Sequence, residues 1–351
     1  MVKTEYIKVD FETEAGTQGI RRAAECIKDG GLVVFPTETV YGLGADGTSA
    51  DAAKRIYEAK GRPSDNPLII HIAQPEDASL YAETDAIYKT LADAFMPGPL
   101  TVVMKAKESV PLATRGGLST VAVRCPAHPV ANLLIRLSGV CIAAPSANLS
   151  GKPSPTDARQ VAEDMMGRVD MILDDGSADF GLESTIVKIE EDGSLTLLRP
   201  GRITPEELKA ATGVPLAISD AVTGKLKEGA AAPSPGMKYR HYAPSAPLTL
   251  LEGDAEKCIG FIKNEGSAAI GIIAYDEDVP RFRAAFPEAR IYSFGKREDE
   301  LTQAHELFKL LRLMDKDPLT QIYAPLPRKS GIGLALYNRM IRAASHSIVR
   351  L

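Results

Sequence analysis

The chain has 351 residues, 44% of them apolar and 25% charged, and a formal net charge of −5. At ~150 residues per domain this is enough for two packed domains, and the composition excludes a disordered or fibrous chain. The acidic balance excludes attraction of the whole surface to nucleic acid and leaves only a local basic cleft for such a role.

Ile20, Ala23, Ala24 and Ile27 recur at helical spacing between Gln18 and Lys28, and Gly30-Gly31 ends that helix. Leu32–Phe35 reads as a buried strand cut by Pro36, and Asp51 is placed to cap a helix carrying Ala52, Ile56 and Ala59. Leu68–Ile72 is a strand. A helical stretch covers about Pro75 to Phe95, and Pro97-Gly98-Pro99 breaks the chain before a strand over Leu100–Lys105. Thr120–Arg124 alternates as a strand, Pro129–Leu137 is helical, Val140–Ala144 is a strand and Asp157 opens a short helix. Ser184–Glu190 and Leu195–Arg199 flank Asp192-Gly193, a hairpin signal. Thr204-Pro205-Glu206-Glu207 combines an N-cap, a first-turn Pro and a capping-box Glu. Irregular alternation with one hairpin predicts a large mixed α/β domain over residues 1–213.

Between 214 and 247 periodicity fades into prolines and an Ala-rich run, which reads as a linker. Met237-Lys-Tyr239-Arg240-His241-Tyr242 is too rich in cations and rings for a passive tether, so packing over a site is expected of it. Residues 248–351 alternate again. Strands at Leu248–Leu251, Ala268–Tyr275, Ala289–Phe294 and Gln321–Ala324 are interleaved with helices at Ala255–Asn264, Leu301–Met314 and Leu334–Ala344. That spacing predicts a small, mostly parallel, doubly wound sheet. Gly271, Tyr275 and Asp276, at one strand's C-terminal end, are candidates for a ligand crevice.

Two loops carry the chemistry. Lys60-Gly-Arg62-Pro-Ser-Asp-Asn66-Pro67 precedes an apolar strand, and Pro145-Ser146-Ala-Asn148-Leu-Ser-Gly-Lys-Pro-Ser154-Pro follows one. Two cations one residue apart suit a polyanion, Lys as a point charge and Arg as a planar fork. Ser146 and Asn148 suit a second set of oxygens, and together the loops suggest a triphosphate site. Gly42-Leu-Gly44-Ala-Asp-Gly47 matches G-x-G-x-x-G, but Pro36–Tyr41 separates it from the strand and position 67 is Pro rather than an acid. It reads as a tight loop that lets backbone approach a ligand.

Thr120, Ala122 and Arg124 share one strand face, where Arg124 can meet a carboxylate. His71 lies in an apolar strand, and spacing alone leaves it open between a satisfied core residue and a site residue. Ser184 starts one hairpin strand and Arg199 ends the other, at opposite ends of the unit or facing one cleft. No Ser–His–Asp or Cys–His arrangement and no metal-ligand spacing is present, so a metal would arrive on phosphate as Mg²⁺. Cys26, Cys125, Cys141 and Cys258 form no C-x-x-C pair and read as reduced thiols. No signal-peptide pattern opens the chain and no apolar run approaches ~18 residues, so a soluble, cytoplasmic protein without membrane segments is expected.

Pro36-Thr-Glu-Thr-Val-Tyr-Gly-Leu-Gly44, Lys60-Gly-Arg62, Pro145-Ser-Ala-Asn148 and Ser184-Thr-Ile-Val187 resemble a YrdC-type domain. Ser234-Pro-Gly-Met-Lys-Tyr-Arg-His-Tyr-Ala-Pro244 and Gly331-Ile-Gly-Leu-Ala-Leu-Tyr-Asn-Arg339 resemble the linker and C-terminal domain of the long, two-domain threonylcarbamoyl-AMP synthase family. The resemblance implies a YrdC-like mixed-sheet α/β domain (1–213), a linker acting as a lid (214–247) and a Rossmann-like parallel α/β domain (248–351). One departure is Lys188, where many members carry an acid; it is expected to point away from Ser184.

The implied reaction is a nucleotidyl transfer. L-threonine, bicarbonate or CO₂, and ATP with its Mg²⁺ give threonylcarbamoyl-AMP and pyrophosphate, and the product passes to the tRNA threonylcarbamoyl-transferase machinery. By the same resemblance Lys60 and Arg62 are catalytic and hold the triphosphate, with Asn66, Thr120, Ser146, Asn148, Ser154, Arg199 and Arg240 also on ATP. Thr37, His71, Arg124 and Ser184 hold threonine, and Tyr239, Arg240 and His241 close the lid. The competing readings are a double-stranded RNA-binding module, against which the acidity counts although an RNA-facing cleft stays open, and a hydrogenase-maturation type of carbamoyl transferase, against which the missing C-x-x-C clusters count.

Overall fold

The structure, a computed structural model, describes residues 2–11, 13–224 and 242–351. It divides into two compact units. The first holds the described residues up to 224 apart from Gly151–Pro153, and the second holds 242–351 together with Gly151–Pro153.

The first unit carries strands β1 (Glu5–Lys8), β2 (Val33–Phe35), β3 (Gly42–Asp46), β4 (Ile69–His71), β5 (Leu100–Lys105), β6 (Thr120–Arg124), β7 (Ile142–Ala143), β8 (Met171–Asp174), β9 (Thr185–Ile189), β10 (Leu195–Arg199) and β11 (Leu216–Ile218). Its helices are α1 (Glu14–Lys28), α2 (Ala50–Lys60), α3 (Ala86–Phe95), α4 (Pro129–Ser138), α5 (Ala158–Met165), α6 (Pro205–Thr212) and α7 (Asp220–Thr223). The strands form one mixed sheet in the order β1-β8-β2-β3-β7-β4-β6-β5-β9-β10-β11.

Several sequence expectations are corrected here. The Gly42–Gly47 segment is not a loop. Gly42–Asp46 is the antiparallel strand β3 between β2 and β7, and its glycines serve close packing. A Cβ on Gly44 would stand 2.7 Å from both Phe35 and Ile142. The stretch from Pro75 to Phe95 is not one helix but a 3₁₀ turn over Pro75–Leu80 and then α3, because Asp85 caps the second piece through the Tyr88 N–H. The cap of α2 is Ser49, which accepts from Ala52 N, while Asp51 lies in the first turn and pairs with Lys54. Within the stretch 214–247, Leu216–Ile218 pairs in parallel with β10 as β11, and α7 follows directly.

Register fixes which side chains share a face. His71 pairs with Arg124, Arg124 with Thr101, Thr101 with Ile186, and Ile186 with Arg199 across a β-bulge. On the other side His71 pairs with Ile142, whose face is packed by Ile20, Ala23 and Ile27 of α1 and by Val130, Ala131 and Leu134 of α4. Over β4, β6, β5 and β9 the same face carries a row of polar side chains at one end. The adjacent apolar row is Ile69, Ala122, Val103 and Ile186, against which Ala221 of α7 packs.

The second unit is a five-stranded parallel sheet, order β14-β13-β15-β12-β16, as expected. Its elements are β12 (Leu248–Glu252), α8 (Ala255–Glu265), β13 (Ile270–Ala274), α9 (Val279–Ala285), β14 (Arg290–Ser293), α10 (Glu300–Met314), β15 (Gln321–Pro325), α11 (Gly333–Ala343) and β16 (Ile348–Arg350). Tyr242 is buried there, stacked on Phe308 at 5.0 Å. At the expected crevice Tyr275 stacks on Phe294 with the Arg297 guanidinium 4.4 Å above its ring, and Tyr275 and Arg297 line a pocket shared with Asp278, Phe282 and Tyr323. Among the described residues no helix is long and apolar enough to cross a membrane.

Candidate active site

The expected residues gather at the two ends of the same few strands. At the first end α2 closes with Gly61 in the left-handed region, which turns Lys60 and Arg62 toward the loop that follows β7. Lys60 is buried, and its ammonium donates to the carbonyls of Ser146 and Asn148 and, at 3.4 Å, to Asn148 Oδ1. The Ser146 hydroxyl donates to that same Asn148 oxygen, and Ser150 N donates to the Lys60 carbonyl at 2.9 Å. Arg62 folds back on its own loop, donating to the carbonyls of Asn66 and Pro67 at 3.3 and 3.1 Å. Asn66 is buried and its Oδ1 has no hydrogen-bond partner. Thr120 begins β6, and its register continues toward Pro67, so it belongs to this end.

At the second end stands the polar row. Ser184 Oγ lies 2.7 Å from Thr101 Oγ1, and Arg199 forks onto Ser184, Nε to the carbonyl and a terminal nitrogen to Oγ, both at 3.0 Å. The hairpin therefore brings Ser184 and Arg199 into contact. Arg124 donates to Glu38 Oε1 at 2.6 Å. His71 Nδ1 lies 3.3 Å from the Ile142 carbonyl, so the N–H sits on Nδ1 and Nε2 carries the lone pair. Burial, with the Arg124 charge adding to it, pulls the His71 imidazole down to about 3, and the ring is neutral. The Ser154 hydroxyl donates to Glu183 Oε1 at 2.6 Å, beside Ser184.

Thr37 is bonded within its own turn. Its hydroxyl donates to the Val40 carbonyl at 2.6 Å and accepts from the N–H groups of Thr39 and Val40 at 3.2 Å. It ties the turn that presents Glu38. Lys188 does not point away from Ser184: the two share a face, but lie four residues apart along the strand, and Lys188 pairs with Glu190. Tyr239, Arg240 and His241 lie outside the described residues.

From Pro67 to His71 is four residues of extended chain, about 13 Å at ~3.3 Å per residue. Ser146 and Ile142 differ by the same four positions on the antiparallel neighbour. The cations thus stand at one end of these strands and the Arg124–Ser184–Arg199 row at the other, about 13 Å apart along the strand direction and spread across the strands from β7 to β10. Sequence reasoning missed Glu38, Thr101 and Glu183. Glu38 lies inside the Pro36–Gly44 motif and Glu183 directly precedes Ser184, so position alone could have flagged both. Thr101 sits in an apolar strand and has no local signal.

Residues 25–201 match the domain family described as Telomere recombination, and residues 203–345 match the one described as Threonylcarbamoyl-AMP synthase, C-terminal domain. The threonylcarbamoyl-AMP synthase of Pyrococcus abyssi is 46% identical over 95% of this chain and 96% of its own, and that of Bacillus subtilis is 42% identical over 99% and 100%. The crystal structure of P. abyssi Sua5 complexed with L-threonine superposes with a TM-score of 0.85 at 42% identity, covering 100% of this chain and 99% of that one. Likeness at this level runs through both units in the same order, and the chain belongs to the threonylcarbamoyl-AMP synthase family of enzymes.

Proposed function

We propose that the protein condenses L-threonine, bicarbonate or CO₂, and ATP into L-threonylcarbamoyl-AMP with release of pyrophosphate. The observation that carries this reading is the arrangement of one sheet face. A carboxylate-binding Arg, a neutral His and a Ser stand at one end of the strands that carry two cations and a Ser–Asn pair at the other. Arg124 takes the threonine carboxylate, and His71 Nε2 accepts from its hydroxyl, which the neutral ring does without charge. Ser184, held by Thr101 and Arg199, faces the same ligand.

The threonine nitrogen bonds to the carbon of CO₂ as its ammonium gives up two protons to solvent, or to the carbon of bicarbonate with loss of water and one proton, and a carbamate results. A carbamate oxygen then bonds to the α-phosphorus as the bond to pyrophosphate breaks. Such transfers ask the protein mainly for positioning and charge neutralisation. Lys60 and Arg62 neutralise the triphosphate, assisted by Asn66, Thr120, Ser146, Asn148 and Ser154. Arg199 steadies the charge at the α-phosphate. Mg²⁺ enters on the phosphates. In place of their bonds to Lys60 and Arg62, the carbonyls of Ser146, Asn148 and Pro67 would find water when nucleotide enters.

A carbamate loses CO₂ readily, and the site must exclude water. Tyr239, Arg240 and His241 act as its lid, with Arg240 also on ATP. The product serves a tRNA-modifying transferase in the cytoplasm.

The test is pyrophosphate release with ATP, Mg²⁺, L-threonine and bicarbonate, each omitted in turn, with L-serine as the near-cognate control. Release should require every component and disappear in Lys60→Ala and Arg62→Ala. Release without threonine would mean another acceptor, and none at all with salt-sensitive RNA binding would mean a binding module. Turnover and KM unchanged in Arg240→Ala/His241→Ala would remove the lid.

A further inference from the structure

Glu38 carries an oxygen that the fold leaves unbonded. Its Oε1 accepts from Arg124 at 2.6 Å, with the two side chains 13% and 5% exposed, while Oε2 is buried without a hydrogen-bond partner. A buried carboxylate oxygen without a donor is destabilising, and native structures keep few of them. The fold nevertheless holds this one firmly. Thr37 ties the turn around it, and the Glu38 carbonyl accepts from Phe180 N at 2.9 Å. A donor for it has to come from outside the described residues, and a bound ligand is one source.

Charge narrows the ligand. Arg124 and Glu38 form a neutral, nearly buried pair, which takes up a zwitterion without burying net charge. We propose that Glu38 Oε2 binds the α-amino group of the amino-acid substrate while Arg124 takes its carboxylate, making Glu38 a specificity-determining residue that rejects hydroxy acids lacking the amine. The proposal rests on the threonine-binding reading above and extends it to a residue that reading did not use.

The test compares L-threonine with (R)-3-hydroxybutanoate, which has the same carboxylate and hydroxyl but no amine, by calorimetric titration of the full chain. The unsubstituted protein should bind threonine at least about tenfold more tightly, the scale of one hydrogen bond to a charged group. In Glu38→Gln that ratio should fall to within about threefold, and in Glu38→Asp, which keeps the charge, it should fall less. Should both ligands weaken together with the ratio kept, Glu38 only orients Arg124 and the proposal is wrong. If Glu38→Gln does not fold, the unsubstituted protein decides, because a ratio near one overturns the assignment. Threonine bound with an unmoved ratio sinks the Glu38 assignment alone, whereas failure to bind either ligand takes the threonine reading down with it.

Discussion

His71 enters the fold without its charge. Its native imidazole titrates at about 3 because burial, and then the Arg124 guanidinium, oppose the proton. In the unfolded chain the ring protonates below ~6.5. Between those values the unfolded state binds a proton that the native state refuses, so stability falls as pH drops through that window. His128, also lowered by burial, contributes with the same sign. His71→Asn should flatten the loss of urea stability between pH 6.5 and 4, and the rate profile should show no limb near 6.5 from His71. An equally steep acid loss in the variant would contradict a neutral, buried ring. Arg199 tests geometry instead of charge. Arg199→Lys keeps the cation but loses the fork on Ser184, and kcat/KM for L-threonine should drop at least about tenfold with the fold intact by circular dichroism. The two loop motifs stood out in the sequence because cations and amides crowd stiff loops. The Thr101–Ser184 contact did not, since its two residues lie 83 positions apart and leave no local pattern in either strand.

Helices and strands were legible where one period dominates. The strands Leu100–Lys105, Thr120–Arg124 and Leu195–Arg199 were expected at the bounds the structure gives. The misread elements failed for stated reasons. Asp85 and its cap divide an apolar stretch that looks continuous, and β3 hides because glycine reads as a turn former when no partner strand is known. Those glycines are tested by Gly44→Ala. With Phe35 and Ile142 both 2.7 Å from the new Cβ, the substitution should cost about 1–3 kcal/mol in chemical denaturation. Phe35→Leu, which removes the ring from one side, should recover part of it. Removal of the capping box by Thr204→Ala should cost about 1 kcal/mol, read the same way.

Across the whole molecule the four thiols stay apart and protected. Burial pushes Cys26 and Cys258 up to about 11 and Cys125 and Cys141 to about 12. A thiol reagent at pH 8 should therefore label native protein slowly, Cys26 first as the half-buried one, and all four only after unfolding. Rapid labelling of Cys125 or Cys141 would contradict the packing. The order of the chain through the polar row has a consequence for synthesis on the ribosome. His71 and Arg124 emerge well before Ser184 and Arg199, and at ~5–20 residues per second the gap from His71 to Arg199 lasts about 6–26 s. Until Arg199 arrives, the nascent chain carries the Lys60–Arg62 and Ser146–Asn148 loops without a finished polar row. Under the proposed function, a ribosome stalled before that point would hold an inert intermediate, so unfinished copies would not drain ATP or threonine.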